Sequence, residues 1–307
     1  MSANKAATTL PASGDATDHS ALGVRQLSLL RRTIRRMGVP GLVSVVVLVA
    51  LLLVAAFAPM VAPYDPTLPD VRARLQAPSA AHHFGTDHLG RDILSRVVHG
   101  SRIAFAVGLA AAAIAAFIGV PLGLLAGFYG GLLDRVISGI TDVLFSFPTV
   151  LLAVALVAVI GPSLGTIAVV LGVLVAPTFT RVVRAVVLAT RALPYVEAAF
   201  ALGMGQARIL LRHVLPATVG PVVAQLCLTL SYAVIVEASL SYIGLGVRPP
   251  APSWGGMLLD LYGYLEVAPW GSLFPGLAIV ISVVAANVAG DALLNAMDPV
   301  HRGGARG

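Results

Sequence analysis

Histidines and aspartates crowd the segment from residue 82 to residue 92, which reads HHFGTDHLGRD. Imidazole and carboxylate groups are the side chains that bind transition metals or transfer protons in catalysis. Asp87 and Asp92, however, each precede an arginine by four residues, a spacing that pairs opposite charges on one helix face. Asp87 can also accept the free backbone N–H groups at the start of that helix. We therefore predict a capped helix start here and no metal site.

A second chemical pattern, GPSLG at residues 161–165, matches the G-x-S-x-G signature of serine hydrolases. That signature needs a strand before the serine and a helix after it, so that a strained turn exposes the hydroxyl group. Here apolar runs of helix length flank the pattern on both sides. We predict an ordinary turn between two helices and no catalytic residue in the chain.

The composition is that of a membrane protein. Of the 307 residues, 58% are hydrophobic and 11% are charged, whereas soluble domains have roughly 45–50% and about 25%. The mean hydropathy is +0.91. The net charge of +6 therefore bears on orientation in the bilayer, and no nucleic-acid partner is expected. The single cysteine, Cys227, excludes an intrachain disulfide, and the single lysine, Lys5, excludes a nucleotide-binding P-loop.

Apolar runs long enough to cross a bilayer predict six transmembrane helices and an all-α fold. The first lies at residues 41–62, and the others lie at about 103–128, 136–160, 166–188, 219–245 and 273–294. A cleaved signal peptide is the alternative for the first run, because AFA at residues 56–58 resembles a cleavage site. The run is longer than a signal peptide needs and Pro59 would follow the cut, so we predict a retained anchor.

The basic residues orient the six helices. With the N-terminal tail at residues 1–40 in the cytoplasm, fourteen lysine and arginine side chains lie inside and six lie outside, as the positive-inside rule expects. Residues 63–100 are then extracytoplasmic, and the remaining spans form a core at residues 101–294. The loop at 191–216 and the tail at 295–307 are cytoplasmic, so both termini are predicted to lie in the cytoplasm.

Glu237 lies inside the fifth predicted span, where an acid is costly unless it is paired or functional. Two interpretations are open. The side chain either faces a polar pathway through the bundle or forms a buried hydrogen bond that supports helix packing. Asp142 lies nearer the cytoplasmic end of the third span, where we expect helix packing and interfacial pairing.

The loop at residues 191–216 reads RALPYVEAAFALGMGQARILLRHVLP and is too apolar for a solvated linker. The alanine-rich residues 195–202 favour a short helix, and Gly203 permits a bend or a close approach. Pro216 is expected to end a second short helix before the fifth span. Small apolar side chains on such helices suit docking into the groove of a partner protein. An amphipathic helix lying on the membrane surface is the alternative.

This loop resembles that of permease subunits of ATP-binding-cassette (ABC) importers, which carry E-A-A, three residues, G, nine residues and then I-x-L-P. The residues that stand at that spacing are Glu197, Ala198, Ala199, Gly203, Leu215 and Pro216. His213 replaces the isoleucine, and the resulting R-H-x-L-P is the form typical of peptide permeases.

Four further segments are similar to the C-type subunit of dipeptide and oligopeptide importers, and the resemblance covers nearly everything after residue 60. They lie at residues 84–96, 129–148, 237–258 and 290–299. The last segment departs from the family pattern, since Leu294 and Asn295 stand where the family usually has arginine and aspartate. The departure puts in doubt a charge-based contact at that point.

The resemblance implies a type I ABC importer permease fold, a location in the bacterial plasma (inner) membrane and a transport subunit rather than an enzyme. The implied partners are a second, B-type permease subunit, two ATP-binding subunits, an extracytoplasmic peptide-binding protein and membrane lipid. ATP and Mg are then bound by the ATP-binding subunits, and no cofactor is bound by this chain. The residues implied to couple the chain to an ATP-binding subunit are Glu197, Ala198, Ala199, Gly203, Gly205, His213, Leu215 and Pro216.

On the outer side, Asp87, Arg91, Asp92 and Trp254 are candidates for docking the binding protein. An anchor at the membrane interface is the alternative for Trp254, because indole rings favour that position. Di- or oligopeptides are the leading cargo, and nickel, glutathione or another small solute is the alternative, since the motifs do not distinguish them. A secondary transporter working alone needs internal repeats and discontinuous helices, and neither is evident in the sequence.

Overall fold

The computed structural model describes residues 37–297, and the predicted tails lie outside the described residues except for the positions next to the core. Within that range the chain is helical and has no β-strand, only an isolated bridge between Thr86 and Asp92. The helices are α1 (Gly38–Ala56), α2 (Ala58–Val61), α3 (Ile93–Tyr129), α4 (Gly131–Phe145), α5 (Thr149–Ile160), α6 (Leu164–Arg191), α7 (Pro194–Ala201), α8 (Gln206–Tyr242), α9 (Trp254–Leu261) and α10 (Trp270–Met297).

Among the described helices, α1, α3, α6, α8 and α10 are long and apolar enough to cross a membrane. A sixth span is present if α4 and α5 count as one, although they meet at an angle of 83°. The predicted number of six is confirmed in this sense, but the predicted continuous helix at residues 136–160 is wrong. Pro148 has no backbone N–H and disfavours a helical conformation in the residue before it, so the helix breaks between Phe145 and Thr149.

Helix α3 begins at Ile93, well before the predicted boundary near residue 103. Asp92 caps this start, because its Oδ2 accepts hydrogen bonds from Ser95 N at 2.8 Å and from Ser95 Oγ at 2.7 Å. Its other oxygen, Oδ1, lies 3.0 Å from His82 Nδ1. The capping role predicted for Asp87 therefore belongs to Asp92.

The core of the bundle is the close packing of α3 against α6. Gly119, Gly123 and Gly127 form a row on α3 that faces the α6 backbone. A Cβ atom on Gly123 would lie 2.6 Å from the Thr180 carbonyl oxygen and 2.8 Å from Val183 Cβ. Rows of small residues allow two helices in lipid to approach until their backbones touch, which is a main source of their association.

Replacing Gly123 with valine is expected to separate α3 from α6, because a backbone carbonyl cannot give way to a new side chain. The expected cost is about 1–3 kcal/mol or more, measured as the loss of monodisperse protein after detergent extraction. Gly139 of α4 is the matched control, since no atom lies within 4 Å of a Cβ placed there. Equal loss from Gly139→Val would contradict this account of the packing.

The bundle has two distinct ends. At one end α1 starts beside the last turns of α10, where Gly41 lies against Ala292. We call it the terminal end, and it also carries the loop between α6 and α8. The other end, which we call the capped end, carries residues 62–92 and 243–269.

Helix α8 runs without interruption from Gln206 to Tyr242 and includes a π-helical turn at Leu210–Val214. The prediction that Pro216 ends a separate short helix is therefore wrong. A proline ring clashes with the preceding turn of a regular α-helix, and a wider turn immediately before it gives the ring room. Such π-turns are frequent at functional sites.

Candidate functional site

The segment at residues 191–216 lies at the terminal end and contains the short helix α7. A proline occupies the first helical position, where its missing N–H costs nothing. Gly203 follows the helix with φ +74°, a left-handed conformation that favours glycine. The N–H groups of Gly203 and Met204 donate back to the carbonyl oxygens of Phe200 and Ala199 at 3.0 and 3.1 Å. These are the bonds of a Schellman motif, which gives a helix a defined end.

One face of α7 is anchored to the bundle. Val196 and Ala199 are buried against apolar side chains of α3, α6 and α8. Phe200 stacks on Phe128 of α3 with ring centres 6.1 Å apart. Arg191 Nη1 donates a hydrogen bond to the Phe128 carbonyl oxygen at 2.7 Å. A displacement of α7 is therefore transmitted to α3 and α6.

The other face of α7 is exposed and presents several of the predicted coupling residues. Glu197 and Ala198 lie on it, and Gly203 and Gly205 extend it beyond the helix. Leu202 protrudes from this shallow surface with 83% of its area exposed. Ala199, by contrast, points into the bundle, so its place in the motif is explained by packing.

The remaining predicted coupling residues lie in the first turns of α8. His213 is half-buried, and its ring centre lies 6.2 Å from that of Tyr195 in α7. Leu215 is half-buried and Pro216 is exposed. His213 lies within the π-helical turn, and Leu215 and Pro216 follow it directly.

Four charges hold the capped end together. Asp87 Oδ2 lies 2.6 Å from Arg91 Nε and 3.5 Å from Arg96 Nε. Asp260 Oδ2 on α9 lies 3.4 Å from Arg91 Nη2 and 3.7 Å from Arg96 Nη2. The predicted pairing of Asp87 with Arg91 is present, although in a turn before α3. The predicted pairing of Asp92 with Arg96 is wrong, since Arg96 lies between Asp87 and Asp260 instead. Two buried arginines need both of these carboxylates to offset the loss of their hydration.

Trp254, the first residue of α9, fills the space beneath the cap. It is 1% exposed, and its Nε1 donates a hydrogen bond to the Val97 carbonyl oxygen at 2.9 Å. Asp87, Arg91 and Asp92 are 1%, 5% and 3% exposed. This burial corrects the prediction that these four side chains contact a binding protein, and it excludes Trp254 as an interface anchor. They form the interior of a cap at this end of the bundle.

Glu237 lies on a fully buried face of α8 with 0% of its surface exposed. Its Oε1 accepts a hydrogen bond from Ser241 Oγ at 2.7 Å. A side chain enclosed in this way cannot line an open pathway, so the pathway prediction for Glu237 is corrected. The hydrogen-bonded structural role, the open alternative, agrees with the geometry.

A largely apolar cavity of about 340 Å³, which also contains hydroxyl and amide groups, lies between α6, α8 and the break that separates α4 from α5. It is lined by Phe145, Thr149, Leu174, Val175, Thr178, Gln225, Leu228, Thr229 and Tyr232. Gln225 Nε2 donates to Thr229 Oγ1 at 3.4 Å. The residues described as its lining include no aspartate, glutamate, lysine, arginine or histidine. Hydroxyl and amide groups can therefore hydrogen-bond a polar solute here without selecting its charge.

Comparison with known families shows what kind of protein has this bundle. The family described as binding-protein-dependent transport system inner membrane component matches residues 119–302, more than half of the chain. The N-terminal TM domain of oligopeptide transport permease C matches residues 40–78. The chain belongs to the binding-protein-dependent transport family. It is a multi-pass permease subunit of the bacterial inner membrane.

Curated relatives of this permease subunit are themselves permease proteins. It is 40% identical to the dipeptide transport system permease protein of Alkalihalophilus pseudofirmus, over 84% of this chain and 85% of the relative. It is 42% identical to the glutathione transport system permease protein of Pectobacterium atrosepticum, over 81% and 83%. The glutathione transport system permease protein of Escherichia coli is 41% identical over 83% and 84%. The predicted function as an ABC importer permease subunit is confirmed.

A solved structure shares the fold of this permease. The MetNI methionine ABC transporter in an inward-facing conformation has a TM-score of 0.55 with 24% identity, and the match covers 67% of this chain and 98% of that one. At this identity the likeness concerns the fold alone. The predicted all-α importer permease fold is confirmed.

Two ion pairs join α4 of the permease to α6 on the terminal side of the cavity. Asp134 accepts hydrogen bonds from Arg184 Nε at 2.5 Å and Arg184 Nη2 at 2.7 Å. Asp142 Oδ1 accepts one from Arg181 Nη2 at 2.7 Å. The guanidinium of Arg181 also lies 3.9 Å from the ring centre of Phe145. The pairing expected for Asp142 is present.

The cavity residues of the permease were missed because single hydroxyl groups on several helices share no spacing that a sequence pattern reveals. Gln225 was the available signal, since polar side chains within membrane spans are usually functional. Within residues 37–297 there is no group of three or more metal-binding side chains that could hold an ion.

Proposed function

We propose that this permease subunit forms half of the pathway through which an importer brings di- or oligopeptides into the cell. The observation that carries the proposal is α7, which is anchored to the bundle on one face and exposed on the other. The relatives named for dipeptide and glutathione transport support a peptide-like cargo. The cavity supports it too, because its amide and hydroxyl groups match the hydrogen-bonding groups of a peptide backbone.

In this proposal a B-type permease subunit supplies the other half of the pathway, and an extracytoplasmic peptide-binding protein delivers the cargo to the capped end. Two ATP-binding subunits bind ATP and Mg, so this chain itself has no enzymatic role. The terminal end faces the cytoplasm, which is supported by the arginines at positions 181–212 and the positive-inside rule. The exposed face of α7 then meets an ATP-binding subunit.

Coupling follows from the way α7 is held. When the ATP-binding subunits close around ATP, they displace α7, and the buried contacts of Val196 and Ala199 pass the motion to α3 and α6. The ion pair between Asp134 and Arg184 passes it on to α4. Packed helices shift between discrete arrangements rather than deform gradually. The cavity thereby changes the side of the membrane to which it opens.

Glutathione is the second candidate cargo, because relatives with 42% and 41% identity are named for its transport. Glutathione is itself a small peptide-like solute, so the same cavity chemistry serves both candidates. An uptake assay with labelled solutes distinguishes the two candidates.

Uptake of a labelled dipeptide, a labelled tripeptide and labelled glutathione by a strain without this chain tests the cargo. We expect deletion to abolish uptake of the dipeptide or the tripeptide and the intact chain to restore it. Loss of glutathione uptake alone would select the second candidate. Unchanged uptake of all three solutes would contradict a peptide-like cargo.

A further inference from the structure

The pair formed by Arg181 and Asp142 is accessible from outside the bundle. Their side chains are 54% and 64% exposed, although both belong to helices of the spanning bundle. Charges that face lipid are expensive, so ionisable residues in spanning helices face protein or a water-filled cavity. This face of α4 and α6 therefore borders water or a partner subunit.

The pair adjoins the cavity between α6 and α8. The guanidinium of Arg181 lies 3.9 Å from the ring centre of Phe145, and Phe145 is part of the cavity wall. Thr178, which also lines the cavity, precedes Arg181 by about one helical turn on α6. Asp142 stands about one turn before Phe145 on α4. The two charges therefore lie directly behind the Phe145 wall of the cavity, on its terminal side.

The neighbouring pair of Arg184 and Asp134 has a different character. It is joined by two hydrogen bonds, and its side chains are only 35% and 22% exposed. Asp134 also accepts a hydrogen bond from Ser138 Oγ at 3.1 Å. This second pair braces α4 against α6. Arg181 and Asp142 are joined by one described hydrogen bond. Because the other pair already holds α4 against α6, these two side chains can separate without detaching the two helices.

We propose that Arg181 and Asp142 bind the two charged ends of a peptide in transit, Arg181 its carboxylate and Asp142 its ammonium group. The cavity meanwhile offers neutral hydrogen bonds to the peptide backbone. The inference rests on the proposed function. Its chemical logic is an exchange of one ion pair for two, which leaves no charge without a partner. The free termini are the charged groups that short peptides of any side-chain composition share, and a neutral cavity does not discriminate among side chains by charge.

The test uses the complete importer in liposomes with its binding protein at saturating concentration. Transport of dialanine and of dialanine amide is compared for the wild-type chain and for Arg181→Gln. We expect Arg181→Gln to slow dialanine by about tenfold or more, the loss that removal of a charged hydrogen bond predicts. Transport of the amide, which has no carboxylate, is expected to stay at its wild-type rate. Arg135→Gln, at an exposed arginine of the same helix as Asp142, is the control and leaves both rates unchanged.

A charge-swapped chain, Arg181→Asp with Asp142→Arg, separates ligand binding from bracing. It keeps the ion pair, so the complex is expected to assemble with the same subunit ratio and to melt at the wild-type Tm while dialanine transport stays low. Full transport by the swapped chain, or an equal loss of dialanine and its amide in Arg181→Gln, would overturn the inference. A wild-type importer that transports no dipeptide would instead overturn the proposed function, so the two failures are distinguishable.

Discussion

Replacing Leu202 with arginine is expected to abolish transport while leaving the permease folded. Leu202 is 83% exposed, so a charged side chain there remains solvated in the isolated chain. Exposed substitutions of this kind usually change the free energy of unfolding by less than about 0.5 kcal/mol. At an interface with an ATP-binding subunit the same charge loses its water without gaining a partner, which costs several kcal/mol. The measurement is co-purification of the ATP-binding subunits and peptide-stimulated ATP hydrolysis.

Leu68 offers a matched control at the opposite end of the bundle. It is 67% exposed and belongs to the segment before α3 at the capped end. Leu68→Arg is expected to retain the ATP-binding subunits in full. Retention by Leu202→Arg, or equal loss from both variants, would mean that the exposed face beyond α7 is not where those subunits bind.

Replacing Asp87 with asparagine is expected to unfold the cap. The carboxylate of Asp87 lies between Arg91 and Arg96, both of which are buried. Breaking a buried ion pair by removing one partner costs about 3–5 kcal/mol, because the remaining charge has neither water nor a counter-ion. Asp260 is the remaining acid and lies farther away, at 3.4 and 3.7 Å from the two guanidinium groups. A large fall in Tm of the detergent-solubilised chain is the expected result.

The same substitution at Asp65 provides the comparison. Hydrogen bonds from the hydroxyl and the backbone N–H of Thr67 lower the pKa of Asp65, so this carboxyl group is also charged at neutral pH. Asp65 is exposed, however, and no buried arginine depends on it. Asp65→Asn is expected to leave Tm unchanged, and an equal fall for the two variants would refute the special role of the Asp87 network.

The local structure of residues 191–205 was predictable because its signals are local. The proline at the start of α7, the glycine in the left-handed conformation after it and the alanines between them each act on neighbouring backbone. The helix break at Pro148 has an equally local cause. We did not predict it, because the proline lies within a long apolar run that has the length of a single span. The uninterrupted α8 was not predictable, since the π-helical turn before Pro216 leaves no mark on the sequence pattern.

The capped end and the cavity could not be predicted, because they depend on contacts between distant parts of the chain. Asp260 reaches the two arginines only because α9 folds back over the start of α3. Trp254 was expected at a surface but is buried. Its burial is tolerated because the indole N–H donates a hydrogen bond to the Val97 carbonyl oxygen. The cavity groups on α6 and α8 converge only after the helices have packed. Resemblance to a family supplied the function, but not this geometry.

Disulfide cross-linking tests most directly whether α7 couples this permease to ATP hydrolysis. The single native cysteine, Cys227, is first replaced with serine, and one cysteine is then placed at Ala198 on the exposed face of α7. A cross-link from position 198 to a cysteine in the cleft of an ATP-binding subunit, with a yield that changes when ATP binds, is the predicted result. A cysteine at Leu68 on the capped end is expected to give none. Absence of a cross-link at position 198 in an importer that transports peptide would contradict the coupling role of α7.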